Sequence, residues 1–171
     1  FYIDHPLVSC LRYVLLSLYA IALPVILSVA NFFDRLYEVP RNRRYVRKAE
    51  RALAEAELIK IGVTGSYGKT TVKNMLCSVL SEKSRVLVTP ASYNTPLGIA
   101  RCVNRNDLSA YDVFIAEMGA RHTGDIAELC DMVKPDYSVI TGICPQHLQS
   151  FSSVQAIVEA KGEILYGTTK G

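Results

Sequence analysis

The sequence predicts an α/β protein: a P-loop-containing, mostly parallel sheet with helices on both faces, preceded by an N-terminal transmembrane helix. Three observations predict it. Tyr13–Ala30 is an uncharged apolar run, YVLLSLYAIALPVILSVA. After Leu58, short β-branched runs alternate with helical patterns, the signature of strands buried on both faces. The first of these strands runs into the first of these helices through Gly62-Val63-Thr64-Gly65-Ser66-Tyr67-Gly68-Lys69-Thr70-Thr71.

Composition bounds the alternatives. Of 171 residues half are hydrophobic and 20% charged, with 10 Gly and 7 Pro, which excludes a collagen-like chain, an acidic disordered tail and a Pro/Ser linker. The five cysteines (Cys10, Cys77, Cys102, Cys130, Cys144) are odd in number, dispersed and never in a C-x-x-C pair, so they are expected to be reduced thiols rather than a disulfide framework. The chain starts with Phe and ends without an obvious stop, and is expected to be part of a longer protein. The net charge of +3 is unevenly spread: seven basic and two acidic side chains between Arg35 and Arg51 give +5 and leave −2 for the rest.

Three regions follow: residues 1–34 as the membrane-helix region, 35–57 as a basic juxtamembrane helix or linker, and 58–171 as the nucleotide-binding part. Eighteen helical residues cover about 27 Å, close to a hydrocarbon core of about 30 Å. Within the apolar unit of residues 7–33, Arg12 can snorkel, and Pro24 is tolerated in a lipid-embedded helix. A signal peptide would have a shorter apolar region and a small-residue cleavage site, and a buried core helix would show a polar face. The basic stretch places everything after the helix in the cytoplasm by the positive-inside rule. It reads equally as a solvated surface helix, or as one that also touches anionic headgroups. No interleaved aromatic or groove-reading motif accompanies it, so nucleic acid is not an expected partner.

In the third region the expected elements are strand Leu58–Thr64, helix Thr70–Leu80, strand Arg85–Val88, helix Leu97–Asn104, strand Asp112–Met118, amphipathic helix Asp125–Val133, strand Tyr137–Thr141 and helix Val154–Leu165. The Gly-rich string between the first two is built for phosphate. Its glycines allow a sharp turn that brings backbone N–H groups close to phosphate oxygens, and the helix N-terminus adds partial positive charge. Lys69 supplies a point charge for the β- and γ-phosphates, and the Thr70 hydroxyl suits Mg²⁺. Gly65, Ser66, Gly68, Lys69, Thr70 and Thr71 are therefore the expected nucleotide-binding residues. The spacing departs from the usual loop, which has Gly where Val63 stands. The competing reading is a Gly-rich turn with a surface lysine. Glu117 ends its strand at the carboxyl edge, where ligands of open α/β sheets bind.

Several separated strings carry a family resemblance. GVTGSYGKTTVKNML resembles the ATP-binding loop of the Mur ligases, which build the peptide stem of bacterial cell-wall precursors. TPASYNTPLGIA, IAEMGARHTGDIAELC, HLQSF and EAKGEI follow in that family's order. GARHTGDI is most similar to the branch that joins D-alanyl-D-alanine to a UDP-N-acetylmuramoyl-tripeptide. The likeness covers Leu58 to about Tyr166 and implies the first part of a central ATPase domain, with the membrane helix standing in place of the family's usual N-terminal domain.

The resemblance also implies site residues. Glu117 would hold a Mg²⁺, with Thr70, and His147 would help to hold a second; Gln149 stands where the family usually has Glu. Lys161 matches a lysine carbamylated in several members, and a carbamate near Mg²⁺ supplies oxygens where a bare ammonium would be repelled. Asn94 matches an asparagine placed near the reacting phosphate. His122 and Asp125 are candidate substrate-side residues, with Arg121 where the family more often has Asn. Lys69, Lys161 and Asn94 are thus the expected catalytic group.

The expected function is an ATP-dependent, amide-forming ligase of peptidoglycan-precursor synthesis acting through an acyl phosphate, present as a fragment that is inactive alone. ATP and Mg²⁺ are the implied cofactors. The implied partners are a nucleotide-linked or lipid-linked muropeptide, a D-amino-acid dipeptide or other amine, and the cell membrane through residues 7–33, with the ATP-binding part cytoplasmic. Three other readings compete: a folylpolyglutamate- or cyanophycin-type ligase, a non-catalytic membrane-tethered nucleotide-binding module, and an unrelated P-loop ATPase. The last would want a hydrophobic strand ending in Asp rather than Glu117.

Overall fold

The computed structural model describes residues 6–144 and 153–170. The chain divides into two compact units between Arg43 and Arg44. Helix α1 (Pro6–Glu55, 50 residues) contributes to both.

In the first unit residues 13–30 of α1 carry no charged side chain. Leu16, Tyr19, Ile26 and Phe33 are each more than half exposed, and an 18-residue window of the helix has a mean hydropathy of 2.2. Among the described residues it is the one helix long and apolar enough to cross a membrane. Pro24 and Pro40 each remove one backbone donor, yet the helix continues through both. No break separates the apolar run from the basic stretch, because RNRRYVRKAERALAEAE consists largely of good helix formers.

In the second unit, residues 44–55 of α1 turn Ala49 and Leu53 wholly into the core, while Arg44, Arg47, Lys48 and Arg51 stay in solvent. The remaining elements are β1 (Ile59–Thr64), α2 (Lys69–Leu80), β2 (Val86–Val88), α3 (Pro96–Asn104), a 3₁₀ turn at Leu108–Ala110, β3 (Val113–Glu117), α4 (Asp125–Val133), β4 (Tyr137–Ile140) and α5 (Val154–Gly167). Each element expected after Leu58 is present, with ends shifted by a residue or two. The four strands form one sheet in the order β2-β3-β1-β4, with every neighbouring pair parallel.

The period-two alternation of β3 decides what lies on each face. Val113 and Ile115 point to one side, where they join Val63 and meet Val72, Leu76 and Leu80 of α2. Phe114 and Ala116 point to the other, into a larger core with Ile99 and Val103 of α3, Ile126 and Leu129 of α4, and Ile164 of α5. Helices thus cover both faces. α3 starts at a Thr95 cap whose hydroxyl accepts the Gly98 N–H, followed by Pro96. α5 starts at Ser153, which accepts the Ala156 N–H. All five cysteines are free, as expected of reduced thiols.

One exposed ion pair links the entries to β2 and β3. The Asp112 carboxylate accepts from the Arg85 backbone N–H (2.8 Å), its Nε (3.1 Å) and its Nη2 (2.7 Å). The hydrogen bonds from the Arg85 side chain lower the Asp112 pKa from 3.8 to about 2. A depressed carboxyl pKa stabilises the fold above pH 3.8 and loses that contribution as pH falls toward 2. Asp112→Asn should therefore flatten the fall in melting temperature between those two values. A wild-type slope in the variant would place the acid sensitivity elsewhere.

Candidate phosphate-binding site

Because the strands are parallel, their carboxyl ends share one edge. Thr64 of β1 lies opposite Ile140 of β4, and Val63 lies opposite Glu117 of β3. From Thr64 the chain turns through Gly65 and Gly68, at φ 150° and 74°, into α2. L-residues avoid both conformations. No side chain caps the start of α2, so the N–H groups of its first turn are available to an anion.

The segment after β4 braces this turn. Ser66 N–H donates to the Gly142 carbonyl (2.7 Å), and the Ser66 hydroxyl both donates to the Cys144 carbonyl and accepts its N–H (3.1 Å each). The Thr141 hydroxyl donates to the Tyr67 carbonyl and lies 3.3 Å from the Thr64 carbonyl.

Two ammonium groups converge on one loop oxygen. Lys69 Nζ donates to the Gly65 carbonyl at 2.7 Å, and Lys161 Nζ reaches the same oxygen from α5 at 3.2 Å. Lys161 is buried, and burial together with the neighbouring Lys69 charge lowers its pKa. Such a pair attracts anions, and it keeps Lys161 closer to the neutral, nucleophilic amine than a surface lysine is.

Beside the loop, Glu117 is 3% exposed. Its Oε2 accepts from the Thr70 hydroxyl and from Lys73 Nζ, both at 2.9 Å. Lys73, 1% exposed, also donates to the Thr89 carbonyl at 2.8 Å, and the Glu117 N–H donates to Thr89 Oγ1 at 3.0 Å. Burial alone would raise the Glu117 pKa; the hydrogen bonds from Lys73 and Thr70 outweigh it and hold the carboxyl below its ordinary value, hence ionised. Among the described residues no donor reaches Oε1. Thr70 and Glu117 therefore present hard oxygens side by side, with one carboxylate oxygen that no donor reaches among the described residues. That donor set fits Mg²⁺, which takes one or two protein oxygens and completes its shell with water and phosphate. Among the described residues no cluster of three His, Cys, Asp or Glu could hold a metal without such help.

A cleft of about 300 Å³ opens on the other side of the loop. Its walls include Gly65, Ser66, Lys69, Asn94, Asp125 and Lys161. The main chain at Asn94 is held by its backbone carbonyl, which accepts the Gly119 N–H at 2.9 Å. The Asp125 carboxylate accepts the N–H groups of Arg121 (2.7 Å) and His122 (2.8 Å), which shapes the turn into α4. The start of α4 is covered by Glu163 of the EAKGEI string, which accepts from Gly124 N–H (2.6 Å) and Ala127 N–H (2.9 Å).

Of the expected site residues, Gly65, Ser66, Lys69, Asn94, Asp125 and Lys161 meet in this cleft, and Thr70 and Glu117 are joined beside it. Gly68 makes the turn, while Thr71 and His122 are exposed and outside the cleft wall. His147 and Gln149 lie outside the described residues. Sequence reasoning missed Lys73, Thr89, Thr141 and Glu163. A signal existed for Lys73: it lies in the stripe of α2 formed by Val72, Leu76 and Cys77, which faces the sheet.

Comparison with known proteins identifies the family. The pattern of the Mur ligase middle domain matches residues 63–171. Among curated relatives, the UDP-N-acetylmuramoyl-tripeptide--D-alanyl-D-alanine ligase of Escherichia coli is 34% identical over 107 residues, 63% of this chain and 24% of the relative. The Synechocystis ligase of the same name is 42% identical over 106 residues, 61% of this chain and 23% of the relative. The chain thus spans about a quarter of their length. Among solved structures, MurF from Acinetobacter baumannii superposes with a TM-score of 0.71 at 30% identity, over 75% of this chain and 28% of that one. MurF ligase from Thermotoga maritima, in complex with ADP, gives 0.66 at 34% identity, over 75% and 30% of the two chains. With the middle-domain pattern running through the phosphate turn, Glu117 and Lys161, the chain belongs to the Mur ligase family.

Proposed function

We propose that this chain is the nucleotide-binding part of an ATP-dependent amide-forming ligase of peptidoglycan-precursor synthesis, one that adds D-alanyl-D-alanine to a UDP-N-acetylmuramoyl-tripeptide. The observation that carries the reading is the convergence of Lys69 and Lys161 on the Gly65 carbonyl, next to the Thr70–Glu117 pair. Lys69 supplies positive charge where a transferred phosphoryl group would pass, and Thr70 and Glu117 supply hard oxygens where its metal would sit. The names of the relatives support the choice of substrates.

In the reaction, a substrate carboxylate oxygen bonds to the γ-phosphorus of ATP and the bond to the β-phosphate oxygen breaks, leaving ADP and an acyl phosphate. The amine then attacks the acyl carbon, phosphate leaves with the bonding electrons, and the amine gives up a proton. Lys69 and the free N–H groups of α2 offset the charge of the migrating phosphoryl. Thr70 and Glu117, with His147, would hold Mg²⁺, which when bound screens charge between the phosphates. Asn94, whose backbone is held by Gly119, lines the same cleft, and Asp125 and His122 are candidates for the substrate side.

Lys161, neutral more readily than an ordinary lysine, is suited to add CO₂ and become a carbamate. Supplying ¹³C-bicarbonate should produce a carbamate carbon signal that is absent in Lys161→Ala. No such signal in the wild type would leave Lys161 acting as an ammonium.

Residues 7–33 would anchor the protein, with the basic stretch and the ligase part in the cytoplasm. Region 58–171 would be the start of the central domain and region 35–57 its connection to the anchor. Alkaline carbonate washing of membranes should leave the protein in the pellet, and its release would remove the anchor from this reading.

A further inference from the structure

Lys73 is a buried cation for which the phosphate chemistry above has no use. Sequestering an ammonium is unfavourable unless it is paired and hydrogen-bonded, and Lys73 has both an ion-pair partner and a carbonyl acceptor. Its position is specific. It is one helical turn beyond Lys69, yet it points into the sheet between Thr89, just past β2, and Glu117, at the end of β3.

Its bond is also selective within the carboxylate. Lys73 and Thr70 both donate to Oε2, and among the described residues nothing donates to Oε1. A carboxylate with two donors on one oxygen has its plane fixed, and the other oxygen is then presented in one direction. The main chain of Glu117 is pinned as well, through its N–H to Thr89 Oγ1. Thr70, the other donor, sits at the solvent edge and is itself a candidate cation ligand. Lys73 is therefore the anchor that persists when Thr70 turns to a metal.

We infer that Lys73 is a positioning residue which clamps Oε2 of Glu117 so that Oε1 is held where a small, octahedral divalent cation requires it. The inference rests on Glu117 being a metal ligand. Mg²⁺ tolerates little deviation from octahedral geometry at about 2.1 Å, whereas Ca²⁺ accepts longer bonds and irregular shells. Precise placement of one carboxylate oxygen therefore favours Mg²⁺ over Ca²⁺.

This gives a test that charge alone does not imitate. Removing the Lys73 charge alters the attraction for any divalent ion in the same sense, and that change largely divides out of the Mg²⁺ to Ca²⁺ ratio. Affinity of the full chain in detergent for a fluorescent ADP analogue would be measured with EDTA, with Mg²⁺ and with Ca²⁺. In Lys73→Met the metal-free affinity should persist while the Mg²⁺ to Ca²⁺ ratio falls about tenfold, the lower end of what loss of a group supporting a metal ligand produces. Should Lys73→Met fail to fold, Lys73→Leu, a shorter side chain that likewise has no donor, carries the measurement with a fall in the same direction. An unchanged ratio in the folded variant overturns the inference and leaves Lys73 a purely structural ion pair. Glu117→Gln, measured alongside, separates the two failures. If it keeps the full Mg²⁺ effect, Glu117 is no ligand and the metal reading itself falls; if it loses the effect while the Lys73 ratio holds, only the role of Lys73 falls.

Discussion

Lys69→Ala in the full-length protein is expected to abolish ATP-dependent amide formation while leaving the fold intact. The two halves of that expectation have different physical origins. Lys69 is the first residue of α2 and half-exposed, and among the described residues its ammonium bonds only the Gly65 carbonyl. Its truncation removes no core contact, and alanine is the best helix former. The melting temperature should move little. The chemistry loses far more, because a fixed charge aimed at a migrating phosphoryl group acts mainly in the transition state. Removing one such preorganised donor lowers turnover by roughly 10²–10³-fold. Phosphate release and amide product, assayed beside a thermal melt, check both halves. Turnover within a fewfold of wild type would remove Lys69 from the reaction. An unfolded variant would show that the loop depends on its own lysine, contrary to the contacts seen.

The fold was more legible in the sequence than the site. β-Branched runs such as Val113–Ile115 announce buried parallel strands, because only such strands are apolar on both faces. The glycine spacing around Lys69 announces a phosphate turn, because few other residues adopt its backbone angles. Glu117 was legible as a strand-end carboxylate. Its partner Lys73 was legible only as a position in the apolar stripe of α2; a lysine in a helix is normally solvated, and the packed tertiary structure is what shows it 1% exposed and paired with Glu117. Thr141 and Glu163 were hidden for another reason. Thr141 reaches back to Thr64 and Tyr67 at the phosphate turn, and Glu163 reaches back to the start of α4. Such long-range hydrogen bonds leave no periodic trace in the sequence. The unbroken course of α1 through Pro40 was likewise unannounced, because proline is normally a place where helices end.

The phosphate turn should be most sensitive at Gly65, and Gly65→Ala is expected to weaken nucleotide binding by about 30–100-fold, or roughly 2–3 kcal/mol. Two effects act together there. At φ 150° an L-residue is strained, and the added methyl would overlap Thr141 Oγ1 while lying 3.2 Å from the backbone N and O of Gly142. The loop must then move away from the segment that braces it, carrying with it the carbonyl on which Lys69 and Lys161 converge. Gly68→Ala offers the contrast. Its φ of 74° is strained too, but a Cβ there comes no nearer than 3.9 Å to Thr141. Backbone strain of about 1–2 kcal/mol is then the whole penalty, so binding should fall by about tenfold. Removing the obstructing hydroxyl separates the two terms: Thr141→Ala combined with Gly65→Ala should recover part of the lost affinity, though not the part due to the backbone angle. Equal losses in the two glycine variants, with no recovery in the double variant, would mean that the brace from Thr141 does not shape the turn. Affinity for ADP measured by equilibrium titration is sufficient, because the argument concerns how the loop is held rather than the chemistry that follows.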